Sequence, residues 1–339
     1  MKELGLFGAT IAEEYGGLGL SASTYAKIVS RICEVWMAPS GIFNSHLIMA
    51  SCVQRAGTEA QKAHFLPKFA SGELRGGIGL TEPDAGSDLQ SIRTVARRDG
   101  DNYVINGTKT WISNGIKGNC LAVLTKTDPL AEPRHKGMSL FLCEKGEGFS
   151  VGKKLKKLGY RAIDSAELIF EDFVVSAENL IGGEEGRGFQ QVAGRLELGR
   201  INIAARGAGM AKGATDMALA YAMERKTFGK AIAEHQAIQL KLAEMSTRAA
   251  AAALLVQEAA IKYDQAERCD LEAGQAKFFA SESAVQNSLD AMRIFGGYSY
   301  SPEYEIERFY RDAPLLCIGE GTNEIQRMII AKQMVARAG

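Results

Sequence analysis

Hydrophobic positions change their spacing twice along the 339-residue chain. Up to about residue 75 they recur at helical intervals, as at Ile42, Leu47 and Val53. From about residue 76 to residue 183 they form short strand-like runs, and from about residue 188 to the end helical spacing returns. Helices, then strands, then helices is not the alternation of strand and helix that builds a doubly wound parallel sheet. The pattern therefore predicts three successive blocks.

The middle block contains several predicted strands. Residues 95–105 predict a hairpin, because Asp99-Gly100-Asp101 is a tight-turn sequence between two alternating runs. Residues 119–126, 138–143 and 166–171 predict further strands. The Gly-rich segment at 182–188 lacks the Lys-Ser/Thr of a phosphate loop, and its two glutamates would repel phosphate. We interpret it as a connector between domains.

The last block has its clearest helix after Gln236, where apolar residues step by three and four along one face. They are Ile238, Leu242, Met245, Ala249, Ala252, Val256, Ala259 and Tyr263. Alanines on this face permit close approach of neighbouring helices. We therefore interpret the stripe as the core of a helical bundle rather than as a cofactor site.

Composition narrows the class of protein. Hydrophobic residues make up 46% of the chain, which is ample for the core of two or three domains. The net charge is zero, which gives no sign of a nucleic-acid partner. The six cysteines include no CxxC pair, and the four histidines show no metal-ligand spacing. With no apolar run of membrane-spanning length and no signal-peptide pattern, we expect a soluble intracellular protein without a metal.

Glu320 is the strongest candidate for chemistry. The apolar run 315–318 precedes it, glycines flank it, and Asn323 and Gln326 are spaced as a capping box for a following helix. Burial between an apolar wall and a helix start would raise the pKa of Glu320 and make it a general base. The alternative is a polar turn residue beside an ordinary helix cap.

Three other segments could hold a cofactor. The turn Thr81–Asp88 offers hydroxyls that suit a flavin edge or a phosphate, and equally a plain surface turn. Trp111 and Ser113 are two apart, hence on one strand face, which suits a flavin ring or a core tryptophan. Arg225 could clamp a pyrophosphate or simply end a helix in solvent.

Taken together and in chain order, the motifs of this sequence resemble those of the acyl-CoA dehydrogenase family over essentially the whole chain. The resemblance is carried by LGLFGATIAEEYGGLGL, GTEAQKAHFLPKFASGE, GLTEPDAGSD, KTWISNG, LELGR, ERKTFGK followed by HQA, RIFGGYSY and GEGTNEIQRMIIAK. It implies an α+β multidomain fold: a partial N-terminal α-helical domain at 1–75, a middle β domain at 76–187 and a C-terminal four-helix α domain at 188–339.

The resemblance also implies an activity. Family members are flavoproteins, usually homotetramers, that bind FAD without a covalent bond and oxidise an acyl-CoA to the trans-2-enoyl-CoA. A glutamate removes the α-proton, and electrons pass to electron-transfer flavoprotein, as in the β-oxidation of fatty acids. The expected location is cytoplasmic, or the mitochondrial matrix in a eukaryote, with no membrane or nucleic-acid partner. Two alternatives stay open: an acyl-CoA oxidase that uses oxygen, and a catalytically silent flavin-binding paralogue.

The resemblance assigns roles to individual positions. Glu320 matches the base; some branches place it instead before the arginine of LELGR, where this chain has Gly199. Expected contacts to FAD are Leu80, Thr81, Gly86, Ser87, Trp111, Ile112, Ser113, Thr322 and Glu324. Expected contacts to the FAD of an adjacent subunit are Arg225, Phe228, Gln236, Arg293, Gly296 and Gly297. Expected substrate contacts are Ser87, Glu197, Arg200 and Gly321.

The chain departs from the family pattern at several positions. Arg293 stands where many members have glutamine, and Ser299 replaces a common glycine. Ile163 takes the place of a frequent substrate-contacting serine. The chain also begins inside the family's N-terminal domain, which leaves the acyl-chain preference open.

Overall fold

The computed structural model of the chain describes residues 1–193 and 197–338. The chain divides into two compact units. We call them the sheet unit, with Met1–Leu20, Gly41–Lys156 and Ala162–Leu196, and the bundle unit, with Ser21–Ser40, Lys157–Arg161 and Glu197–Gly339. This grouping assigns residues 21–40 to the C-terminal helices. The division at residues 75 and 187 stays a prediction.

The secondary structure follows the three predicted blocks. The described α-helices are α1 (Ala22–Cys33), α2 (Met37–Ala56), α3 (Glu59–Ser71), α4 (Gly188–Ala193), α5 (Glu197–Glu224), α6 (Gln236–Asp264), α7 (Asp270–Phe295), α8 (Ile306–Asp312), α9 (Pro314–Ile318) and α10 (Asn323–Ala338). The strands are β1 (Gly76–Gly79), β2 (Val95–Asp99), β3 (Asn102–Ser113), β4 (Cys120–Lys126), β5 (Met138–Glu144), β6 (Phe149–Lys154), β7 (Ser165–Ser176), β8 (Lys226–Thr227) and β9 (Lys230–Ala231). Among the described residues, no helix combines the length and the apolar character that crossing a membrane requires.

The sheet unit is built on one mixed sheet with strand order β1-β4-β2-β3-β7-β6, and β5 pairs with the other edge of β4. Antiparallel β2 and β3 pair Asp99 with Asn102, and Gly100 takes a φ of 59° between them, so the predicted hairpin is confirmed. Tyr103, Phe141 and Phe170 lie in the buried core of this sheet. The predicted connector at 182–188 leads from this sheet into α4.

The bundle unit is built from α5, α6, α7 and α10, with α1 packed against α5 and α6. The stripe predicted on α6 faces the interior: Met245, Ala252, Val256 and Ala259 are buried, and the other four stripe residues are half-buried. Helices α5 and α7 approach so closely that a Cβ added at Gly207 would lie 2.6 Å from the carbonyl oxygen of Ala280. Small residues therefore set the spacing of this bundle.

A buried carboxylate fastens α7 to two neighbours. Glu272 is 5% exposed and accepts hydrogen bonds from Arg337 on α10 at 2.7 and 2.9 Å and from Lys262 on α6 at 2.5 Å. The Arg337 bonds, opposed by burial and supported by Lys262, lower the pKa of Glu272 from 4.5 to about 2. Because the folded pKa lies below the unfolded one, the ionised group stabilises the fold above pH 4.5. This contribution is lost as the pH falls toward 2.

We expect Glu272→Gln to lower the free energy of unfolding by about 2 kcal/mol at pH 7 and by less as the pH falls below 4. Urea denaturation of both proteins across this pH range measures the difference. Glu258→Gln is the matched control, since Glu258 also faces Lys262 but has a side chain that is 54% exposed. An equal effect of the two substitutions at pH 7 would refute the assignment.

Candidate active site

Glu320 lies on the turn between α9 and α10, as the sequence predicts. Its φ is 53° and that of Gly321 is 84°, and a positive φ is uncommon for a residue other than glycine. The local chain is therefore held in a conformation that presents this one side chain. The side chain is exposed, so the predicted burial is wrong for the chain as described.

The Glu320 carboxylate lies directly against α5. A Cβ added at Gly199 would come within 2.7 Å of Glu320 Oε2, closer than real Cβ atoms approach other atoms. Glycine at position 199 thus leaves the space that the carboxylate occupies. The two positions that carry the base in different branches of the resembled family converge on one point of the bundle unit.

The helix after the turn is not capped as predicted. Thr322 Oγ1 accepts from the Ile325 N–H at 3.3 Å, so Thr322 is the cap, one residue before the predicted Asn323. Asn323 is instead buried, with 1% of its surface exposed, and its amide contacts Ser281 and Glu282 on α7. The sequence spacing suggests a cap at Asn323, but tertiary contacts draw its side chain inward.

Lys277, which sequence reasoning missed, braces this turn from α7. Its ammonium is fully buried and donates to Asn323 Oδ1 at 2.8 Å and to the Cys317 carbonyl at 3.4 Å. These acceptors lie on either side of Glu320. Burial lowers the pKa of Lys277 to about 8, although the neighbouring Cys317 thiol and Glu320 carboxylate oppose the shift. The one sign of this buried lysine in the sequence is that alanine and phenylalanine flank it directly, at positions 276 and 278.

In the sheet unit, a buried ion pair holds the loop Thr81–Asp88. Glu82 accepts from Lys109 Nζ at 2.7 Å and from the backbone N–H groups of Arg93 and Thr94 at 2.5 and 3.0 Å. Lys109 also donates to the Leu80 carbonyl at 3.1 Å. Burial lowers the pKa of Lys109 to about 8, against the attraction of Glu82. Sequence reasoning missed both partners of this pair.

Trp111 projects from a bulge in β3. Its φ is 61°, and the pairing of β3 with β7 shifts register between Lys109 and Ile112. The regular alternation that placed Trp111 and Ser113 on one face is therefore broken. Trp111 is 57% exposed, which excludes the core alternative, whereas Ile112 is 3% exposed and belongs to the sheet core.

The exposed groups of the sheet unit fit a flavin. The backbone N–H of Thr110 donates to the Thr81 carbonyl at 2.8 Å, which joins the loop to the strand that carries Trp111. Ser87 is exposed, and a Cβ added at Gly86 would meet no atom within 4 Å, so a ligand can approach the backbone there. An exposed indole beside neutral donors suits a planar, hydrogen-bonding ring.

In the bundle unit, Arg225, Gly296 and Gly297 line one cavity of about 560 Å³. Arg225 follows α5 and lies over the Tyr298 ring at 5.7 Å. Gly296 has a φ of 63°, and Gly297 would meet nothing within 4 Å with an added Cβ. The structure thus brings three of the predicted cofactor residues together.

The other predicted residues of the bundle unit do not line that cavity. Phe228 is 97% exposed at the turn between β8 and β9, and Gln236 is exposed where α6 begins. Arg293 is exposed and pairs with Asp290 at 3.4 Å. Thr322 is used as a cap, and Glu324 is exposed in the first turn of α10.

The predicted substrate residues Glu197 and Arg200 open α5 and are 8% and 6% exposed. Arg200 pairs with Asp270 at 3.0 Å. Within the described residues, Glu197 Oε2 is buried without a hydrogen-bond partner. Gly321 adjoins Glu320 on the turn, and Leu196 of the LELGR motif lies outside the described residues.

Comparison with known families gives matches along the chain. The model for the acyl-CoA dehydrogenase N-terminal domain matches residues 1–73, that for the middle domain matches residues 77–173, and that for the C-terminal domain matches residues 186–335. Together with the order of elements, these matches confirm the predicted fold class of helical, β and helical domains.

Individual proteins are also similar. An acyl-CoA dehydrogenase of Bacillus subtilis is 42% identical over 337 residues, covering 99% of this chain and 88% of that protein. The (2S)-methylsuccinyl-CoA dehydrogenase of Cereibacter sphaeroides is 39% identical over 344 residues, covering 99% of this chain and 63% of that longer protein. The butyryl-CoA dehydrogenase structure from Megasphaera elsdenii gives a TM-score of 0.94 at 36% identity, covering 98% of this chain and 89% of that one.

Proposed function

The chain belongs to the acyl-CoA dehydrogenase family, whose members are FAD-dependent oxidoreductases acting on CH–CH bonds, and we propose that it oxidises an acyl-CoA thioester to the trans-2-enoyl-CoA. The observation that carries this proposal is the Glu320 carboxylate, presented on a positive-φ turn and set against Gly199. A carboxylate fixed in this way supplies the one group that the reaction demands of the protein itself.

Glu320 acts as the general base. Its carboxylate takes the proton from the α-carbon of the thioester, while a hydride leaves the β-carbon and a C=C bond forms between them. FAD, when bound, supplies the acceptor for that hydride. Lys277 donates hydrogen bonds to residues on both sides of this turn. These bonds hold the Glu320 carboxylate in position while it takes up the proton.

The residues of the sheet unit would hold the flavin. Trp111 offers its exposed face to the ring, and the Thr81–Asp88 loop offers hydroxyl and backbone donors. Arg225, Gly296 and Gly297 of the bundle unit would approach a phosphate or adenosine group, in keeping with the exposed guanidinium. We further propose a homotetramer in which this second group serves the FAD of a neighbouring subunit.

The decisive experiment is anaerobic addition of butyryl-CoA to the purified protein. We expect a yellow protein whose flavin absorbance bleaches as the trans-2-enoyl-CoA forms. A protein that binds flavin but is not reduced by any acyl-CoA in a series of chain lengths would be the silent paralogue, and the proposal would be wrong.

We propose electron-transfer flavoprotein as the electron acceptor, in line with family membership. Mixing the reduced protein with aerated buffer separates this from the oxidase alternative. An oxidase would be reoxidised rapidly with release of hydrogen peroxide, whereas a dehydrogenase should be reoxidised rapidly only after electron-transfer flavoprotein is added.

Trp111→Ala should weaken flavin retention by about tenfold, because an exposed ring that stacks on a ligand is lost. The free energy of unfolding of the apoprotein should change by less than about 1 kcal/mol, since Trp111 is 57% exposed. Flavin fluorescence on dilution measures the first quantity and urea denaturation the second. Trp111→Phe keeps a ring and is the control; equal flavin loss in both variants would argue against stacking.

A further inference from the structure

Arg206 is a buried cation in the middle of α5. Its side chain is 3% exposed, and its Nη1 donates to the Tyr160 hydroxyl at 3.0 Å. Its Nη2 reaches the Ser40 carbonyl only at 3.5 Å, and Nε has no hydrogen-bond partner in the described structure. Both of these acceptors are neutral oxygens. A buried cation with an unpaired N–H group is costly, because no acceptor replaces the water that this group loses on burial.

Arg206 shares a helix face with the proposed base. Gly199, Asn202, Ile203 and Arg206 are spaced by three, four and seven residues, which places them on one side of α5. Glu320 Oε2 lies at the Gly199 end of this face. Burial alone would lower the pKa of Arg206, but the neighbouring Tyr160 hydroxyl and Glu320 carboxylate raise it overall, so the two ends of the face act on each other electrostatically.

The face passes from solvent to the interior. Glu320 is exposed and Gly199 is partly exposed, whereas Asn202 and Ile203 are 1% and 4% exposed. Asn202 Nδ2 lies 3.1 Å from the Tyr25 hydroxyl, and its Oδ1 has no partner in the described structure. The face therefore carries two polar atoms, Asn202 Oδ1 and Arg206 Nε, that lack partners in the described structure.

We propose that Arg206 is a specificity residue and that the acyl group of the substrate ends in an anionic group, a carboxylate, which its guanidinium binds. This inference rests on the proposed function, since it takes the thioester to lie at Glu320. The carboxylate supplies an acceptor for the unpaired Nε and a negative charge in addition to that of Glu320.

The spacing limits the length of such a substrate. Seven residues of α-helix span about 10 Å, and the lean of long side chains toward the helix start shortens the gap to the guanidinium. A short dicarboxylic acyl group, of about four to six carbons, fits between a base at one end and a cation at the other. Longer chains would have to fold or displace Ile203.

The test compares glutaryl-CoA with pentanoyl-CoA, which have five acyl carbons each and differ at the distal end. The FAD-loaded Glu320→Gln protein holds substrate without turnover, so calorimetry gives the dissociation constants directly. We expect glutaryl-CoA to bind at least about tenfold more tightly, as a charged hydrogen-bonded pair typically provides. Adding Arg206→Gln should abolish this preference, whereas adding Lys212→Gln, an exposed position on the same helix, should preserve it.

The outcomes separate the two proposals. If pentanoyl-CoA binds Glu320→Gln as well as glutaryl-CoA does, and reduces the flavin of the unaltered protein as fast, Arg206 does not read a carboxylate while the dehydrogenase function stands. If neither thioester binds or reduces the flavin, the proposed function itself fails and this inference fails with it. If Arg206→Gln does not fold, the dissociation constants of succinyl-, glutaryl- and adipyl-CoA are compared with those of the uncharged thioesters of equal length on the Glu320→Gln protein, which keeps Arg206. Tighter binding of the dicarboxylic thioesters supports the proposal, and equal binding refutes it.

Discussion

Glu320→Gln will leave acyl-CoA binding nearly unchanged and slow anaerobic flavin reduction by at least about 10³-fold, within the range that a positioned general base contributes. The amide has the shape of the carboxylate but cannot accept a proton from the α-carbon. The loss should therefore appear in the rate of bleaching and not in the dissociation constant. Stopped-flow absorbance with butyryl-CoA, beside equilibrium binding of the same ligand, measures both quantities.

The geometry at Gly199 provides a positive control for that result. Because a Cβ at position 199 would lie 2.7 Å from Glu320 Oε2, a glutamate there starts from nearly the same place as the present carboxylate. Glu320→Gly alone should be as slow as Glu320→Gln, and adding Gly199→Glu should recover part of the lost rate. Near-normal bleaching in Glu320→Gln would show that another group is the base.

The sequence predicted best those features of the site that depend on residues close to one another in the chain. Glycines on both sides of Glu320 indicate a turn, and the structure places Glu320 there with a positive φ. The α6 stripe indicates a packed face, because the buried positions Met245, Ala252, Val256 and Ala259 follow from the helical period. Such features depend on neighbours within a few residues, which is the range that a sequence pattern reports.

What the sequence did not reveal depends on distant partners. Lys277 and Asn323 are 46 residues apart, and Lys109 and Glu82 are 27 apart, so no local spacing predicts that each pair meets in the interior. The predicted cap at Asn323 failed for the same reason, since a contact from α7 outweighed the local preference. The β3 bulge likewise arises from the pairing with β7.

Replacing Lys109 by methionine should lower the free energy of unfolding by about 3–5 kcal/mol, which is more than we expect for Glu272→Gln. Lys109 is fully buried and Glu82 is 6% exposed, and Lys109 Nζ lies 2.7 Å from Glu82 Oε1. Removing the ammonium leaves a carboxylate buried among backbone donors without its cation. The loop Thr81–Asp88 should loosen as well, so the flavin content of the purified protein should fall together with its urea midpoint.

The double variant Lys109→Met/Glu82→Gln distinguishes a lost ion pair from a damaged core. Since the methionine fills most of the lysine's volume, removing the stranded charge as well should recover a large part of the lost stability. Lys117→Met, at an exposed lysine of the same unit, should change the free energy of unfolding by less than about 0.5 kcal/mol. If the double variant is as unstable as the sum of its single variants, the two side chains contribute independently, and the buried pair does not hold the loop.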